Sequence, residues 1–327
     1  MEEIIKNIYR IPVKLPNSPL KELNSYLIRD AERSLLIDTG FRLPECKEAL
    51  ITGLEELGEQ PDSVDIFLTH MHADHSGVAS EIIGKDRRTF VGEADRFLLG
   101  KFLEAREKWF GNKKRDMLTG IPSEITENMA TLNPALMYAP IGGIEYTPVN
   151  NGAVMHAGGY ELRCISTPGH SPGHTCLWIE QIGLMFTGDH VLFDITPNIT
   201  AWPTVEDSLG DYLESLRAIR KYPVKTALPG HRKPGDFHAR VDELLQHHEI
   251  RLANVKHILQ HEPGLTAYEI AGRMRWKIRA DSWADFPATQ KIFAVGECMS
   301  HLDFLRLRGA ITREQDGEVY RYYFERQ

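Results

Sequence analysis

The sequence predicts an α+β protein in which two groups of strands have helices on their outer sides, a four-layer αβ/βα sandwich. Three observations lead to this prediction. Short apolar runs that end in polar or glycine-rich turns recur through the first 238 residues, and amphipathic helical stretches separate several of them. The pattern then changes at about residue 239, so we expect a second, smaller domain over residues 239–327.

The composition indicates a soluble globular protein in a reducing compartment. The chain has 327 residues, of which 42% are apolar, and its formal net charge is −8. No apolar run is long enough to span a membrane, and the acidic start at Met1 resembles no signal peptide. The four cysteines are far apart and form no Cys-x-x-Cys pair, which argues against a disulfide framework. We therefore expect a cytoplasmic protein without a membrane partner.

The first predicted elements follow from the alternation of apolar and polar residues and from residues that typically begin or end helices. Leu43–Leu57 should be a helix, because Pro44 lies in its first turn and Gly58 ends it. A short helix is predicted over Val78–Ile83. The predicted strands are residues 4–13, Asn24–Ile28, Ser34–Ile37, Ile66–Leu68 and Thr89–Val91.

Residues 95–140 interrupt this order and predict a helical insertion. Ala94–Met117 has a helical composition, and no clear strand appears before Glu145. Trp109 and Phe110 lie among basic residues, which are Lys101, Arg106, Lys108, Lys113, Lys114 and Arg115. The insertion is either a solvated helix whose aromatic side chains pack inward or a lid that helps to select the substrate.

Strands return after the insertion. Gly158-Gly159 predicts the turn of a hairpin, and Asp207 can cap a helix. The predicted strands are Val154–His156, Tyr160–Ile165, Thr175–Ile179, Leu184–Phe186 and Lys225–Leu228.

The last 89 residues predict three helices and a hairpin. Thr266 and Glu269 form a capping-box pattern at the start of the second helix, and Asp316-Gly317 predicts the hairpin turn. Residues 240–327 contain 13 basic and 13 acidic side chains. This balance argues against a module that reads DNA, because phosphate contacts supply most of such affinity. We expect packing, formation of a homodimer or closing of a substrate cleft instead.

Four potential metal ligands lie within six positions after the apolar run Ile66–Leu68. His70 and His72 are two residues apart, so an extended backbone directs both imidazoles to one side. Asp74 and His75 follow where the chain must turn, and they can face a second metal. Zinc accepts this mixture of imidazole and carboxylate ligands.

Three further ligands follow apolar strands later in the chain. His170 follows Pro168-Gly169, Asp189 follows Thr187-Gly188, and His231 follows Pro229-Gly230. In each case a glycine before the ligand allows the backbone to turn sharply beside the site.

This motif, His70-x-His72-x-Asp74-His75, resembles the signature of the metallo-β-lactamase-fold hydrolases. The resemblance implies that His70, His72 and His170 hold one divalent metal ion, that Asp74, His75 and His231 hold a second, and that Asp189 bridges them. Zinc is the expected metal, with iron and manganese as alternatives. Asp38 matches the Asp-Thr-Gly strand end of the family, where a carboxylate can orient a ligand imidazole. The three C-terminal helices and the hairpin resemble a winged helix.

The resemblance implies a hydrolase in which two metal ions lower the pKa of a water to roughly 7, so that hydroxide attacks the substrate. Asp74 would hold a metal and accept or relay the proton. His174 and His190 could support ligands or contact substrate. With Asp189 as the bridge, the site resembles glyoxalase II, lactonases and the RNA- and phosphodiester-cleaving members more than the true β-lactamases. Among these we expect a small anionic ester or thioester as the substrate. The alternatives are a phosphodiesterase or endoribonuclease acting on RNA, a di-iron redox protein, and a non-catalytic binding protein.

Overall fold

Two sheets lie face to face between outer layers of helices. The computed structural model describes residues 1–110, 118–126, 137–277 and 280–325, with residues 102–110 described by their main chain only. One apolar cluster fills the space between the sheets, with Ile37 and Phe67 from one sheet and Leu177 and Phe186 from the other. The predicted α+β four-layer sandwich is therefore confirmed.

The first sheet has seven strands in sequence order. Its first four strands are antiparallel and its last four run parallel. The strands are Glu2–Ile5, Ile8–Lys14, Glu22–Ile28, Leu35–Ile37, Asp65–Leu68, Thr89–Gly92 and Tyr146–Val149. The parallel strands bring Asp38, Thr69 and their neighbours to one edge of the sheet.

The second sheet has five strands, of which four form an antiparallel meander. The fifth strand, Thr226–Pro229, returns parallel to Leu184–Gly188. The remaining strands are Val154–Ala157, Tyr160–Ser166 and Thr175–Ile179. The hairpin at Gly158-Gly159 is confirmed, and both glycines have the positive φ that its turn requires.

Helices cover the outer faces of both sheets. Those on the first sheet are Pro44–Glu56, Ala73–Ser76, Ala79–Ile82 and Glu93–Phe110. The single turn Ser123–Thr126 comes soon after Ile121, which packs against the apolar cluster of the second sheet. Those on the second sheet and beyond it are Ser208–Ile219, Phe237–His261, Ala267–Arg273 and Ala288–Leu307, followed by the hairpin strands Ile311–Asp316 and Val319–Phe324. Asp207 caps its helix by accepting from Gly210, and Thr266 with Glu269 forms the predicted capping box.

The predicted single strand over residues 4–13 is wrong. The chain folds back at Lys6-Asn7, and Glu2–Ile5 pairs with Ile8–Lys14 as a hairpin. Asn7 has a φ of 64°, a left-handed conformation that asparagine tolerates better than most residues. Its side-chain amide also donates to the carbonyl of Gly158, 3.1 Å away.

The predicted insertion begins with a long helix, Glu93–Phe110. The side chains of Trp109 and Phe110 and the basic residues Lys113, Lys114 and Arg115 lie outside the described residues. Among the described helices, each is too short or too polar to cross a membrane.

Candidate metal centre

Seven histidine and aspartate side chains meet where strands of both sheets end. His70, His72, Asp74 and His75 follow strand Asp65–Leu68 and occupy a loop and the short helix Ala73–Ser76. The others follow three strands of the second sheet, and they are His170, Asp189 and His231. Six of these side chains are buried, and His70, His75 and His231 fully so, whereas His72 is partly exposed.

Three imidazoles form the first group of ligand atoms. Nδ1 of His72 lies 2.9 Å from Nε2 of His70 and 2.9 Å from Nε2 of His170. The second group brings Nε2 of His231 to 3.3 Å from Nε2 of His75 and to 3.2 Å from Oδ2 of Asp74. Two groups of three ligand atoms therefore lie side by side.

Asp189 lies between the two groups. Its Oδ2 is 3.7 Å from Nε2 of His170 and 3.6 Å from Nε2 of His231, and its Oδ1 is 3.5 Å from Nε2 of His75. Within the described part of the chain, Oδ1 is buried and has no hydrogen-bond partner. A buried carboxylate oxygen in this state is expensive unless a cation or water meets it.

The second ring nitrogen of four histidines is held by an acceptor. Nδ1 of His170 donates to the carbonyl of Asn198 at 2.8 Å, and Nδ1 of His231 donates to the carbonyl of Glu22 at 2.7 Å. His70 has Thr69 Oγ1 as its Nδ1 partner, and His75 has Asp38 Oδ2. Because each Nδ1 is then the donor, Nε2 of the same ring presents a lone pair to the centre.

Asp38 holds the loop of the first four ligands in two ways. Its Oδ2 accepts from Nδ1 of His75 at 2.7 Å and from the hydroxyl of Thr69 at 2.8 Å. Its Oδ1 accepts from the backbone N–H of Thr69 at 2.8 Å. Thr69 in turn contacts Nδ1 of His70, so a single buried carboxylate orients two ligand imidazoles.

Asp95 is a structurally central residue that the sequence analysis missed. Its buried carboxylate accepts from Met71 N at 2.9 Å, from the hydroxyl of Ser171 at 2.6 Å and from Gly173 N at 2.7 Å. Burial raises the pKa of Asp95 to about 6, although the three donors act in the opposite direction. Asp95 thereby ties the loop that carries His70 to the loop that carries His170.

Trp202 is the second residue that the sequence analysis missed. Its indole ring stacks on the imidazole of His72 with centroids 5.9 Å apart, and its Nε1 donates to the carbonyl of His170 at 3.2 Å. The only sequence signal for it is a tryptophan beside Pro203 in a segment without predicted secondary structure.

His174 and His190 lie behind the seven side chains. The ring of His174 is 5.3 Å from that of His70 and 5.6 Å from that of His190. Nδ1 of His174 is paired with Thr167 Oγ1 at 2.8 Å, whereas both ring nitrogens of His190 lack a partner among the described residues. Burial lowers the pKa of both histidines, that of His190 to about 3, so both are neutral.

The electrostatics of the cluster suit a divalent cation. Burial opposes the ionised form of Asp74, but His75 and His231 outweigh it and lower the pKa of Asp74 to about 2. Burial likewise opposes protonation of His75, but Asp38 and Asp189 raise its pKa well above the ordinary value. Protons and a cation compete for the same ring nitrogens, so metal binding would release the protons.

The spacing of the ligand atoms also fits a metal. Zinc with bonds of about 2.0–2.1 Å to nitrogen holds its tetrahedral ligands roughly 3.3 Å apart. Nδ1 of His72 has a similar separation, 2.9 Å, from Nε2 of His70 and from Nε2 of His170, and the latter two nitrogens present directed lone pairs. Among the described residues, the ligand atoms lie within 4.8 Å of one another in three sets: His70 with His72 and His170, His70 with His75 and Asp189, and Asp74 with His75 and His231.

Comparison with known proteins assigns the family. The model of the metallo-beta-lactamase superfamily matches residues 22–231, a range that includes all seven side chains. A crystal structure of a metallo-beta-lactamase family protein from Thermus thermophilus is similar over 99% of this chain and 100% of that chain, with 30% identity and a TM-score of 0.83. A beta-lactamase domain protein from Burkholderia ambifaria has 23% identity and a TM-score of 0.81 over 99% and 93% of the two chains.

Two further relatives are each 24% identical to this chain in sequence. A lactamase-like protein of Aspergillus fumigatus is 24% identical over 90% of this chain and 85% of its own length. A protein of Emericella nidulans named atrochrysone carboxyl ACP thioesterase is 24% identical over 71% of this chain and 57% of its own length. On the family match and the buried His/Asp cluster, this chain belongs to the metallo-beta-lactamase superfamily and is a hydrolase with residues suited to binding divalent metal.

Proposed function

We propose that the chain hydrolyses a small anionic ester or thioester with a hydroxide generated at two divalent metal ions, zinc in the first place and iron or manganese as alternatives. The observation that carries the proposal is the convergence of seven ligand side chains, six of them buried, from four strand ends. Four ligands would suffice for a single structural zinc, whereas seven provide for two ions and leave coordination positions for water and substrate.

The proposed roles follow the two groups of ligand atoms. His70, His72 and His170 would hold one metal ion, Asp74, His75 and His231 would hold the other, and Asp189 would bridge them. Asp38 orients His70 and His75, and Asp95 fixes the relative position of two ligand loops.

Asp74 is the proposed acceptor of the proton. It is the side chain of the second group with the largest exposed fraction, 9%, whereas His75 and His231 are fully buried. Its ionised carboxylate can therefore face both a metal ion and an incoming substrate. A general base must reach the proton that it takes, and this rim position allows that contact.

The substrate class is supported by one relative. The Emericella nidulans protein is named as an acyl-carrier-protein thioesterase, and this chain spans 57% of its length. Thioester hydrolysis uses the same attack on a carbonyl as ester hydrolysis, so the centre described above suits both. A phosphodiesterase or RNA-cleaving activity is the main rival, and the net charge of −8 opposes it.

Two other rivals have less support. A di-iron redox protein of related fold commonly has a glutamate where this chain has His72. A non-catalytic binding protein would have no need for a complete set of seven ligands.

Metal analysis after purification without chelator should find two ions per chain, and one ion after reconstitution would contradict the dinuclear proposal.

A substrate panel separates the ester reaction from the RNA reaction. We expect turnover of a thioester or a lactone, and weak or no cleavage of a phosphodiester and of single-stranded RNA. Replacing Lys113, Lys114 and Arg115 with alanine should raise KM for the ester modestly and leave kcat nearly unchanged, because a small anion needs one or two charges. Against RNA the same change should steeply reduce cleavage and its salt dependence.

The matched control removes the same charges elsewhere. Arg217, Lys221 and Lys225 are exposed and lie on or after helix Ser208–Ile219, near the start of strand Thr226–Pro229 and therefore at the end opposite His231. Their replacement with alanine should change neither KM nor kcat. RNA cleavage without turnover of any carbonyl ester would overturn the proposal in favour of a ribonuclease.

A further inference from the structure

The segment from Asn198 to Trp202 lies between the metal ligands and helix Ala288–Leu307. It follows strand Leu184–Gly188 and the Asp189 loop, and it contains no helix or strand of its own. A segment without regular hydrogen bonding takes its position from its neighbours. Here the neighbours are the ligand loops on one side and a C-terminal helix on the other.

On the side of the metal centre, the segment contacts two ligands. The carbonyl of Asn198 accepts from Nδ1 of His170 at 2.8 Å. Trp202 donates from Nε1 to the carbonyl of His170 and stacks on the ring of His72. Both ends of the segment therefore fix ligands of the same group, the one formed by His70, His72 and His170.

On the other side, helix Ala288–Leu307 holds the segment with both its main chain and its side chains. The hydroxyl of Ser300 donates to the carbonyl of Ile199 at 2.6 Å, and the backbone N–H of Ala201 donates to the carbonyl of Gly296 at 3.1 Å. The side-chain amide of Asn198 donates to Oε2 of Glu297 at 3.3 Å.

Gly296 is the point of closest approach. A Cβ at this position would lie 2.4 Å from the hydroxyl oxygen of Thr200, which is closer than real contacts allow. Gly296 lies inside a helix, where glycine costs roughly 1 kcal/mol relative to alanine. The helix thus has a less favourable residue at the place where the segment must come near.

We infer that helix Ala288–Leu307 supports the metal centre, with Gly296, Glu297 and Ser300 as positioning residues that act on His170 through Asn198 and on His72 through Trp202. This inference rests on the proposed metal ligands. It gives the C-terminal part of the chain a role in one metal site and not in the other, because His75 and His231 are oriented by Asp38 and Glu22 instead.

The test is a metal titration of the full chain. Metal-free protein would be titrated with Zn²⁺ against a chromophoric chelator and with Co²⁺ in the visible range. In the Gly296→Ala variant, one of the two equivalents should bind about 10–100-fold more weakly, as is typical when the partner of a ligand is disturbed. The other equivalent should keep its affinity. Gly100→Ala is the matched control, because Gly100 is also helical and an added Cβ meets no described atom within 4 Å.

A second variant decides the matter if Gly296→Ala fails to fold. Ser300→Ala removes only the hydroxyl that donates to the carbonyl of Ile199. One of the two equivalents should then bind about 3–10-fold more weakly, which is at or below the lower end of the losses seen when the partner of a metal ligand is changed. Ser34→Ala is its control, since Ser34 is equally buried and donates to Glu59 at the far end of strand Leu35–Ile37.

The outcomes separate this inference from the proposed function. A wild-type chain that binds fewer than two Zn²⁺ ions would overturn the dinuclear proposal itself. Two ions in wild type, with unchanged affinities in folded Ser300→Ala and Gly296→Ala proteins, would overturn the positioning role alone. Equal weakening of both equivalents would also contradict it, because a general loss of structure would then explain the result.

Discussion

At the scale of single residues, the metal centre is set by the acceptors behind the ligands. The four Nδ1 partners come from Asp38, Thr69, Asn198 and the carbonyl of Glu22, which lie far apart in the chain. Each fixes one imidazole tautomer and ring orientation before any metal binds. Such preorganisation lets the folded chain bind a cation without a further cost of ordering the side chains.

The proposed bridging carboxylate gives the first prediction. Under the dinuclear proposal, Asp189→Ala should reduce turnover by several orders of magnitude, because the variant would lack the carboxylate that would position the nucleophile. Steady-state kinetics on the substrate found in the panel would measure this. Asp194→Ala is the control, since Asp194 is exposed in the same loop region and its variant should turn over as wild type does. Near-wild-type turnover in Asp189→Ala would exclude the dinuclear mechanism.

Asp95 gives the second prediction. Asp95→Asn replaces one carboxylate oxygen with an NH2 group, which cannot accept a hydrogen bond. One oxygen of Asp95 accepts from two donors and the other from one, so at least one buried donor loses its acceptor in either orientation of the amide. At neutral pH the free energy of unfolding of the metal-free chain should fall by about 1–3 kcal/mol. Denaturant unfolding would measure it, with unchanged stability as the contradicting result.

The difference in stability between wild type and Asp95→Asn should also depend on pH. Because the pKa of Asp95 is raised from 3.8 to about 6 in the folded chain, the folded protein retains a proton that the unfolded chain releases in this range. The stability of wild type relative to Asp95→Asn should therefore fall as the pH rises from about 4 to 6 and stay level above that. An advantage that grows over this range would show that the donors, and not burial, dominate the pKa.

Local spacing made part of the site predictable. His70, His72, Asp74 and His75 are adjacent in sequence, and each later ligand directly follows a glycine at the end of an apolar strand. Asp95 and Trp202 were not predictable, because their roles arise from contacts between segments that are distant in the chain. One aspartate at a helix start and one tryptophan in a loop have no pattern that separates them from ordinary surface residues.

At the scale of elements, glycine lets strand ends pack closely around the ligands. A Cβ at Gly169 would lie 2.4 Å from the Cβ of Tyr212, and one at Gly188 would lie 2.8 Å from the Cβ of Thr69. Both also have a positive φ, so the backbone conformation as well as the close contacts disfavours any side chain there. Gly230 does not have a positive φ, so only the close contacts disfavour a side chain at that position.

Gly230 therefore gives the third prediction, because a substitution there tests close packing without a change of backbone conformation. In Gly230→Ala the new Cβ would lie 2.7 Å from Oδ1 of Asp189 and 2.8 Å from Cε1 of His75, and it should displace both side chains. We expect a loss of about 1–3 kcal/mol in the free energy of unfolding, together with weaker metal binding. Gly142→Ala is the control, because a Cβ there meets no described atom within 4 Å. Unchanged metal affinity in Gly230→Ala would contradict the expected displacement.

At the scale of the whole molecule, one apolar cluster crosses the predicted boundary between residues 1–238 and 239–327. It contains Trp178 and Met185 from the second sheet, Leu213 from helix Ser208–Ile219, and Val241 and Leu302 from the C-terminal helices. The predicted three helices and hairpin are present among the described residues, whereas the winged-helix likeness and the division into two domains stay predictions. Sequence periodicity located these helices but could not indicate the surface against which they pack.

Truncation gives the fourth prediction. A chain that ends at residue 238 should be insoluble or inactive, because it exposes the face of helix Ser208–Ile219 that Val241, Leu244 and Leu302 cover. Expression, sedimentation and turnover of the fragment would test this. A soluble fragment with full activity would show that the C-terminal part is dispensable to the reaction.

The contact between Ser300 and Ile199 also has a consequence for synthesis on the ribosome. The 130 residues that separate His170 from Ser300 take roughly 7–26 s to add at about 5–20 residues per second. During that time the nascent chain already contains most of the proposed ligands but lacks the helix that holds Asn198 in place. Metal loading at the site of His170 would thus be completed only after helix Ala288–Leu307 has been synthesised.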